Sequence, residues 1–212
     1  MIIRSLLITC LCLAPALQAA GVQGTAARWT QFAQSLERLH TQRLEGFDIK
    51  TEESVGGYGG VRADPEFYTQ TKYIDRNSGR LLAKVQRENR KPALLHTMEL
   101  YIYDAQGRLA REYIAAYLPD RRELPFQTLV SIYSYVDGLQ AFREFDASDD
   151  LLFEYCTGEL DGRKVHIAWD YLEIPDKADE IEDQYMRAAY EKCFTDLPRT
   201  AGPYLEPLNE LK

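Results

Sequence analysis

Histidine is scarce in this 212-residue chain. The chain also lacks a cluster of basic residues and, after residue 20, a long apolar run. Three histidines leave few candidates for general acid–base catalysis or for metal binding. A formal net charge of −8 without clustered lysine and arginine argues against nucleic acid or an anionic lipid surface as partner. No window after residue 20 approaches the roughly 20 apolar residues of a transmembrane helix, so the sequence predicts no membrane span.

What the chain does contain is typical of a globular protein. Hydrophobic residues make up 45% of it and aromatic residues 11%, which is too apolar for disorder. We expect residues 21–212 to form one domain, because two domains would each be at the small end of the usual range.

The first 20 residues have the pattern of a secretory signal. Arg4 supplies the positive charge, an apolar stretch follows from Leu6 to Leu13, and small residues come next. We expect a signal peptide over residues 1–20, cleaved after Ala19 or Ala20. The mature chain would then be periplasmic or secreted.

The four cysteines divide between leader and body. Cys10 and Cys12 lie in the leader, and lipid anchoring at Cys10 is disfavoured because Thr9 stands where lipoprotein signals carry a small Gly, Ala or Ser. Cys156 and Cys193 remain. An even pair in an exported chain predicts a structural disulfide, and the absence of a CxxC spacing argues against a redox role.

Hydrophobic spacing predicts the order of the elements. A helix is expected from Thr25 to about Leu44, a glycine-rich loop to about Pro65, and strands from Phe67 to about Ile174. A second helix should begin at a cap on Asp176 and end near Phe194, followed by an extended, proline-containing tail over residues 198–212. The fold class predicted is α+β: an antiparallel meander of about six to eight strands packed by two amphipathic helices.

Two hairpins fix most of the register. Asp104 to Gly107 has the form of a three-residue turn with a bulge, which would pair Tyr103 with Leu109 and Tyr101 with Arg111. Alternation then predicts one apolar face, with Glu112 as its charged exception, and one polar face. The polar, tyrosine-rich face would carry Glu99, Tyr101, Tyr103, Arg111, Tyr113 and Tyr117.

In the second hairpin, Asp161-Gly162 is a two-residue loop that pairs Cys156 with Ile167. Cys156 would point into the core, and Cys193 lies on the apolar arc of the second helix. The two thiols should therefore meet. Between the hairpins, Phe126 to Val136 has both helical spacing and β-branched content, and we interpret it as a strand.

Three segments share a turn pattern, beginning at Tyr73, Tyr103 and Phe145. The middle one, Tyr103-Asp104-Ala105-Gln106-Gly107-Arg108-Leu109, resembles a unit of the YD-repeat family of bacterial β-rich proteins. The resemblance covers under a quarter of the chain and implies hairpin turns only, with no activity carried over.

Residues with catalytic or metal-binding chemistry are isolated. His40 is expected at the edge of the first helix's buried face, His96 on the apolar sheet face, and His166 on a strand too far from Asp170 for a hydrogen-bonded pair. The segment from Asp146 to Asp150 alternates oxygen ligands but lacks the Gly and Glu of an EF-hand. We predict no metal and no cofactor.

The functional hypothesis depends on the tyrosine-rich face being exposed. The alternative is that a helix covers this face and the tyrosines are packing residues. We expect a non-enzymatic exported binding or accessory protein, of the inhibitor or immunity kind, whose partner is a basic or neutral protein or other large ligand. One alternative is a small hydrolase with a site assembled from His96 or His166 and carboxylates. The other is a carrier that holds an apolar ligand between sheet and helices.

Overall fold

The computed structural model describes residues 14–58, 64–119, 123–174 and 181–211. Within them, nine antiparallel strands form one sheet in chain order, so the predicted α+β meander is confirmed, with more strands than expected. The strands are β1 (Ile49–Tyr58), β2 (Asp64–Asp75), β3 (Leu81–Glu88), β4 (Lys91–Tyr103), β5 (Leu109–Ala116), β6 (Gln127–Val136), β7 (Leu139–Asp146), β8 (Leu151–Leu160) and β9 (Arg163–Asp170). The helices are α1 (Ala14–Leu44) and α2 (Gln184–Phe194), with 3-10 turns at Gly202–Leu205 and Pro207–Leu211.

Both helices and the tail pack on the same face of the sheet, which we call the helix-covered face. From α1, Phe32, Leu36 and Leu39 are buried at three- and four-residue spacing. Ala189 and Cys193 of α2 join the same core. The sheet side of this core consists of Ala83, Val85, Met98, Leu100, Ile102, Tyr113, Ala115, Val130, Ile132, Ala141, Phe145, Cys156, Val165 and Ile167.

The three predicted aspartate turns are hairpin turns. Asp104 accepts hydrogen bonds from the backbone N–H groups of Gln106 (2.9 Å) and Arg108 (2.8 Å), and Gly107 has a φ of +79°. Asp75 and Asp146 accept backbone N–H groups of their own turns in the same way. The carboxylates therefore hold the turns that keep the meander in chain order.

The Asp161-Gly162 hairpin has the expected register. Both turn residues have positive φ, and Cys156 pairs with Ile167 and Thr157 with His166. Cys156 points into the core, as predicted. The ambiguous segment before β7 is strand β6, which confirms that interpretation as well.

The register of β4 with β5 is only partly as expected. Tyr103 pairs with Leu109, but Tyr101 pairs with Glu112 rather than with Arg111. An irregularity between Ile102 and Tyr103 shifts the pairing by one residue. Because side chains alternate with a period of two, this shift moves every later side chain of β5 to the opposite face.

The glycine-rich segment, predicted as a flexible loop or irregular edge, is instead strand β1 as far as Tyr58, and residues 59–63 lie outside the described part. Its backbone pairs with β2 from Ile49 to Tyr58. At Gly56 a Cβ atom would lie 2.5 Å from the ring of Tyr68, which crosses the strand there. The absence of a side chain at Gly56 therefore permits the close approach of Tyr68. This glycine marks a strand contact rather than a loop.

The two C-terminal boundaries also differ from expectation. Helix α2 is capped by Asp183, whose side chain accepts the N–H of Met186 at 3.0 Å, and Asp176 lies outside the described residues. The tail is not extended, because Pro203 and Pro207 stand at the starts of 3-10 turns. A proline φ near −65° is also compatible with the first turn of a helix, which the prediction of an extended chain neglected.

Residues 1–13 lie outside the described part, so the signal peptide and the alternative of lipid anchoring at Cys10 stay predictions. The expected cleavage positions, after Ala19 or Ala20, fall within the span of α1. None of the helices in the described ranges has the length and apolar character to cross a membrane.

The predicted disulfide is present and joins α2 to β8. The Cα atoms of Cys156 and Cys193 are 6.2 Å apart, and both residues are buried. The bond closes a loop with a sequence separation of 37 residues. It therefore fixes the terminal helix to β8, next to the edge strand β9, on the helix-covered face.

Replacing both cysteines by alanine should lower the free energy of unfolding by about 4 kcal/mol, on the chain-entropy model. Urea denaturation of both proteins with and without reductant measures the effect. Reductant should bring the wild type to the level of the variant and leave the variant unchanged. A loss below about 1 kcal/mol would contradict a stabilising role for this bond.

Candidate functional site

The six residues predicted to share one tyrosine-rich face do not share it. Because of the shift in β5, Arg111 and Tyr113 lie on the helix-covered face, whereas Glu99 and Tyr101 lie on the other. Tyr113 is fully buried and Tyr101 is 8% exposed. The predicted constellation is thus wrong in its geometry, although several of its members take part in two separate clusters.

The first cluster lies under the tail. Arg111 donates through Nε and Nη2 to the two carboxylate oxygens of Glu210, and the hydroxyl of Tyr113 donates to the same carboxylate at 2.7 Å. The ring of Tyr113 packs 6.1 Å from that of Phe32 in α1. Arg111 also lies over the ring of Tyr204, 5.0 Å from its centroid. This cluster fastens the last 3-10 turns to the sheet.

Tyr103 and Tyr117 have structural partners too. The Tyr103 hydroxyl donates to the carbonyl of Leu81 at 2.8 Å. Tyr117 packs against the core, and its burial together with the charge of Glu37 raises the pKa of Tyr117 to about 12. Neither side chain therefore presents a broad exposed surface to a binding partner.

Glu210→Ala should lower the free energy of unfolding by about 2 kcal/mol, because the guanidinium of Arg111 would be left half-buried without its anion. Urea denaturation measures it, with Glu206→Ala of the same tail as the matched control. Among the described residues, the side chain of Glu206 accepts one contact, from the N–H of Leu208 at 3.4 Å, so its variant should stay within about 0.5 kcal/mol of wild type. Equal losses in the two variants would contradict a specific role for Glu210.

The second cluster lies on the opposite face of the sheet, which we call the open face. Its side chains alternate along the strands with residues of the core, so they point away from both described helices. The open face is defined here by Glu99, Tyr101, Glu112, Ser131, Tyr133, Phe142, Glu144, Phe153, Tyr155 and His166.

Carboxylates occupy the centre of the open face. The hydroxyl of Tyr101 donates to Glu99, which also forms a salt bridge with Lys84 at 2.7 Å. Across the neighbouring strands, Glu112 accepts from the hydroxyl of Tyr133 at 3.1 Å. One step further, Glu144 accepts from Ser131 at 3.0 Å.

Two of these carboxyl groups have a raised pKa. Burial raises the pKa of Glu112, and the hydrogen bond from Tyr133 opposes the shift only in part. Burial likewise raises the pKa of Glu144, opposed by its bond from Ser131. Among the described residues, neither carboxylate has a salt bridge. Burial disfavours the charged form of a carboxyl group, so its charge does not stabilise the fold. Carboxyl groups with a raised pKa are typical of functional sites.

A row of aromatic rings borders the carboxylates. Phe142 lies 5.1 Å from Tyr133, 5.3 Å from Tyr155 and 6.0 Å from Phe153, measured between ring centroids. Tyr155 in turn lies 5.7 Å from His166. The row therefore crosses four consecutive strands, β6 to β9, and all its members except exposed His166 are half-buried.

Sequence reasoning missed most of this face. The alternation predicted Glu112 only as the charged exception on an apolar face. It gave no prediction for the row around Phe142. Strict alternation in β7, where Phe142 and Glu144 flank buried Arg143, was the available signal. It needed the pairings of β6 and β8 before it pointed to a surface.

Among the described residues, the three histidines lie apart from one another, on α1, β4 and β9. His40 packs edge-on against Tyr73, and burial lowers the pKa of its imidazole. His96 lies 3.1 Å from the Tyr117 carbonyl and stacks on Tyr68; burial lowers its pKa also. His166 is exposed at the end of the aromatic row.

The segment from Asp146 to Asp150 uses its carboxylates for the fold. Asp146 accepts the N–H groups of Ser148 and Asp150, and Asp149 accepts the N–H of Ala201 at 2.5 Å. In the ranges that the structure describes, no group of three or more His, Cys, Asp or Glu residues is arranged to hold a metal ion.

Glu112→Gln and Glu144→Gln should each raise the free energy of unfolding at pH 7 by roughly 0.5–1 kcal/mol, because the amide needs no charge in a desolvated position. The folded pKa of each carboxyl lies above its ordinary value of 4.5. The neutral form therefore contributes stability below about pH 4.5, and that contribution is lost as the pH rises through the folded pKa.

Urea denaturation at pH 4 and pH 7 checks both variants. The stabilisation should be present at pH 7 and vanish at pH 4. Glu159→Gln, at an exposed position of β8, serves as control and should change neither value. A loss of stability at pH 7 in both variants would show that the charged carboxylates are structural.

Comparison with known proteins identifies no relative. No family model, no curated protein and no solved structure matches the chain. A function therefore has to be inferred from the chemistry of the chain's own residues.

Proposed function

We propose that the protein is a non-enzymatic, exported binding or accessory protein that docks a neutral or basic protein on the open face. The observation that carries the proposal is the placement of three carboxylates and a four-strand row of aromatic rings on the sheet face away from both described helices. The disulfide Cys156–Cys193 and the Arg111–Glu210 pair lie on the other face.

The residue types suit recognition by a protein. Aromatic side chains supply a large contact area and lose little conformational entropy, because they have only two side-chain torsions. Phe142 and Tyr155 are half-buried by their neighbours, so their orientation is set before a partner arrives. Preorganised contacts of this kind reduce the entropy lost on binding.

The charge of the chain favours a partner of positive charge. The chain has a net charge of −8, and its open face carries Glu99, Glu112 and Glu144 against Lys84 and the neighbouring Lys72. Such a surface would speed encounter with a basic protein, and the association would weaken as salt rises. Small inhibitor or immunity proteins, which guard the periplasm against hostile or endogenous hydrolases, have these requirements.

The docking residues differ from those expected from sequence. Arg111, Tyr113 and Tyr117 are excluded, since they pack on the helix-covered face. Glu99 and Tyr101 remain at one end of the surface. Export is supported by the leader pattern and by the disulfide, which is typical of oxidising compartments.

A hydrolase is the second candidate, and the raised pKa values of Glu112 and Glu144 are the observation in its favour. The two residues lie on β5 and β7 with Ser131 of β6 between them, so their backbones are roughly 10 Å apart, twice the strand spacing. Both carboxylates are engaged by hydroxyl donors of the fold, and this makes the binding function the better supported of the two.

Site-specific photo-crosslinking tests the proposal. A benzophenone amino acid is placed at Phe142 on the open face or, as control, at Gln34 on the exposed side of α1. Both proteins are exposed to the periplasmic extract of the native host. We expect one adduct from position 142, reduced severalfold by a Glu99→Gln, Glu112→Gln, Glu144→Gln triple variant and by 0.5 M salt.

Adducts of equal yield from positions 34 and 142, or a yield unaffected by the triple variant and by salt, would contradict docking on the open face. Hydrolysis of a substrate panel that is lost in Glu144→Gln would favour the second candidate instead.

A further inference from the structure

The two faces of the sheet neutralise their carboxylates differently. On the helix-covered face, Glu154 has Arg143 at 2.7 Å and Glu210 has Arg111, so each buried carboxylate meets a guanidinium of the same chain. On the open face, Glu144 meets only the hydroxyl of Ser131. Charge pairing there is incomplete within the part of the chain that the structure describes.

Glu112 extends this incomplete pairing. Its hydrogen-bond partner is the hydroxyl of Tyr133, and the ammonium of Lys84, which lowers the pKa of Glu112, is already in a salt bridge with Glu99. A carboxylate removed from water without a cation is unfavourable, and a cation from outside would offset that loss. The open face thus has room for positive charge that the described residues do not supply.

The geometry says where such a cation would lie. Phe142 and Glu144 are two residues apart on β7 and point to the same face, and their partners on β8 are Tyr155 and Phe153 respectively. Glu144 is therefore bordered by aromatic rings along its own strand and across the next one. The rings of Phe142 and Tyr155 are stacked, with an interplanar angle of 27°.

Rings beside a carboxylate favour one class of ligand group. A ring face attracts a cation within about 6 Å of its centroid. Lysine and arginine also carry an apolar stem, which packs along aromatic surface while the charged end reaches a carboxylate. Neither a purely apolar group nor an anion would use both features of this subsite.

We infer that Phe142, Tyr155 and Glu144 form a subsite for a lysine or arginine side chain presented by an extended segment of the protein partner. The inference rests on the proposed function and specifies its chemistry. A protein segment is favoured over a small cation because the aromatic row continues beyond the subsite, from Tyr133 on β6 to His166 on β9. An extended segment crossing four strands would contact the whole row.

Peptide titration tests the inference without the natural partner. The probes are three capped decapeptides of alternating threonine and a second residue, which is lysine, norleucine or glutamate. Binding is followed by amide chemical shifts of the isotope-labelled protein. The lysine peptide should bind at least tenfold more tightly than the norleucine peptide, with shifts concentrated on β7 and β8, and the glutamate peptide should not bind.

Variants assign the effect to the subsite. Glu144→Gln and Phe142→Ala should each weaken the lysine peptide about tenfold, whereas Glu191→Gln on α2 and Phe126→Ala, both at exposed positions outside the open face, should leave its affinity unchanged. Glu144→Gln should fold at least as stably as wild type, so its loss of affinity would report lost charge rather than unfolding.

Each contrary result is specific. Equal binding of the norleucine peptide would show an apolar contact and overturn the cation subsite. Spermine binding as tightly as the lysine peptide would show a small-cation site and overturn the protein partner. If the lysine peptide fails while crosslinking at position 142 persists and still depends on the open-face carboxylates, the subsite is wrong and the proposed function stands. If both fail, the proposed function fails too.

Discussion

The structure depends on one constraint: every covering element is fixed to the same side of the sheet. The disulfide Cys156–Cys193 ties α2 to β8, and the carboxylate of Glu210 ties the end of the tail to Arg111 on β5. α1 fills the remaining core with Phe32 and its neighbours. Because these ties all act on one side, no described helix packs on the other. The open face is thus a consequence of where the covalent and ionic ties are placed, and its composition shows what it is suited to contact.

The composition of the open face does not favour the stability of the fold. The helix-covered face satisfies its charges internally, as in the pair Arg143–Glu154, where Arg143 also donates to the Leu197 carbonyl at 2.6 Å. The open face keeps Glu112 and Glu144 desolvated without a bonded cation. Residues that oppose stability at a surface are typical of sites where binding requires them. The contrast between the two faces is stronger evidence for function than the number of tyrosines, since most of those are engaged in packing.

Local signals in the sequence predicted what is local in the structure. Asp161-Gly162 fixes its own hairpin, and that register placed Cys156 inward, so the disulfide followed from two short-range patterns. Gly56 was misread because its reason lies on a neighbouring strand, in the ring of Tyr68. Glu210 gave no signal, since its partner Arg111 is 99 residues away and nothing in the tail distinguishes the buried carboxylate of Glu210 from that of Glu206. The aromatic row was equally hidden, because it exists only after four strands have paired.

A single misplaced residue explains the largest error. With the expected register, Glu112 was the one charge on an otherwise apolar face, and Arg111 pointed to solvent with the tyrosines. The extra residue of β5 beside Tyr103 exchanges their positions. Arg111 turns inward to meet Glu210, and Glu112 turns outward to the open face. A charged exception in an alternating strand next to a bulge-prone turn is therefore itself evidence of a register shift, and the exception marks the residue that the shift brings to the functional face.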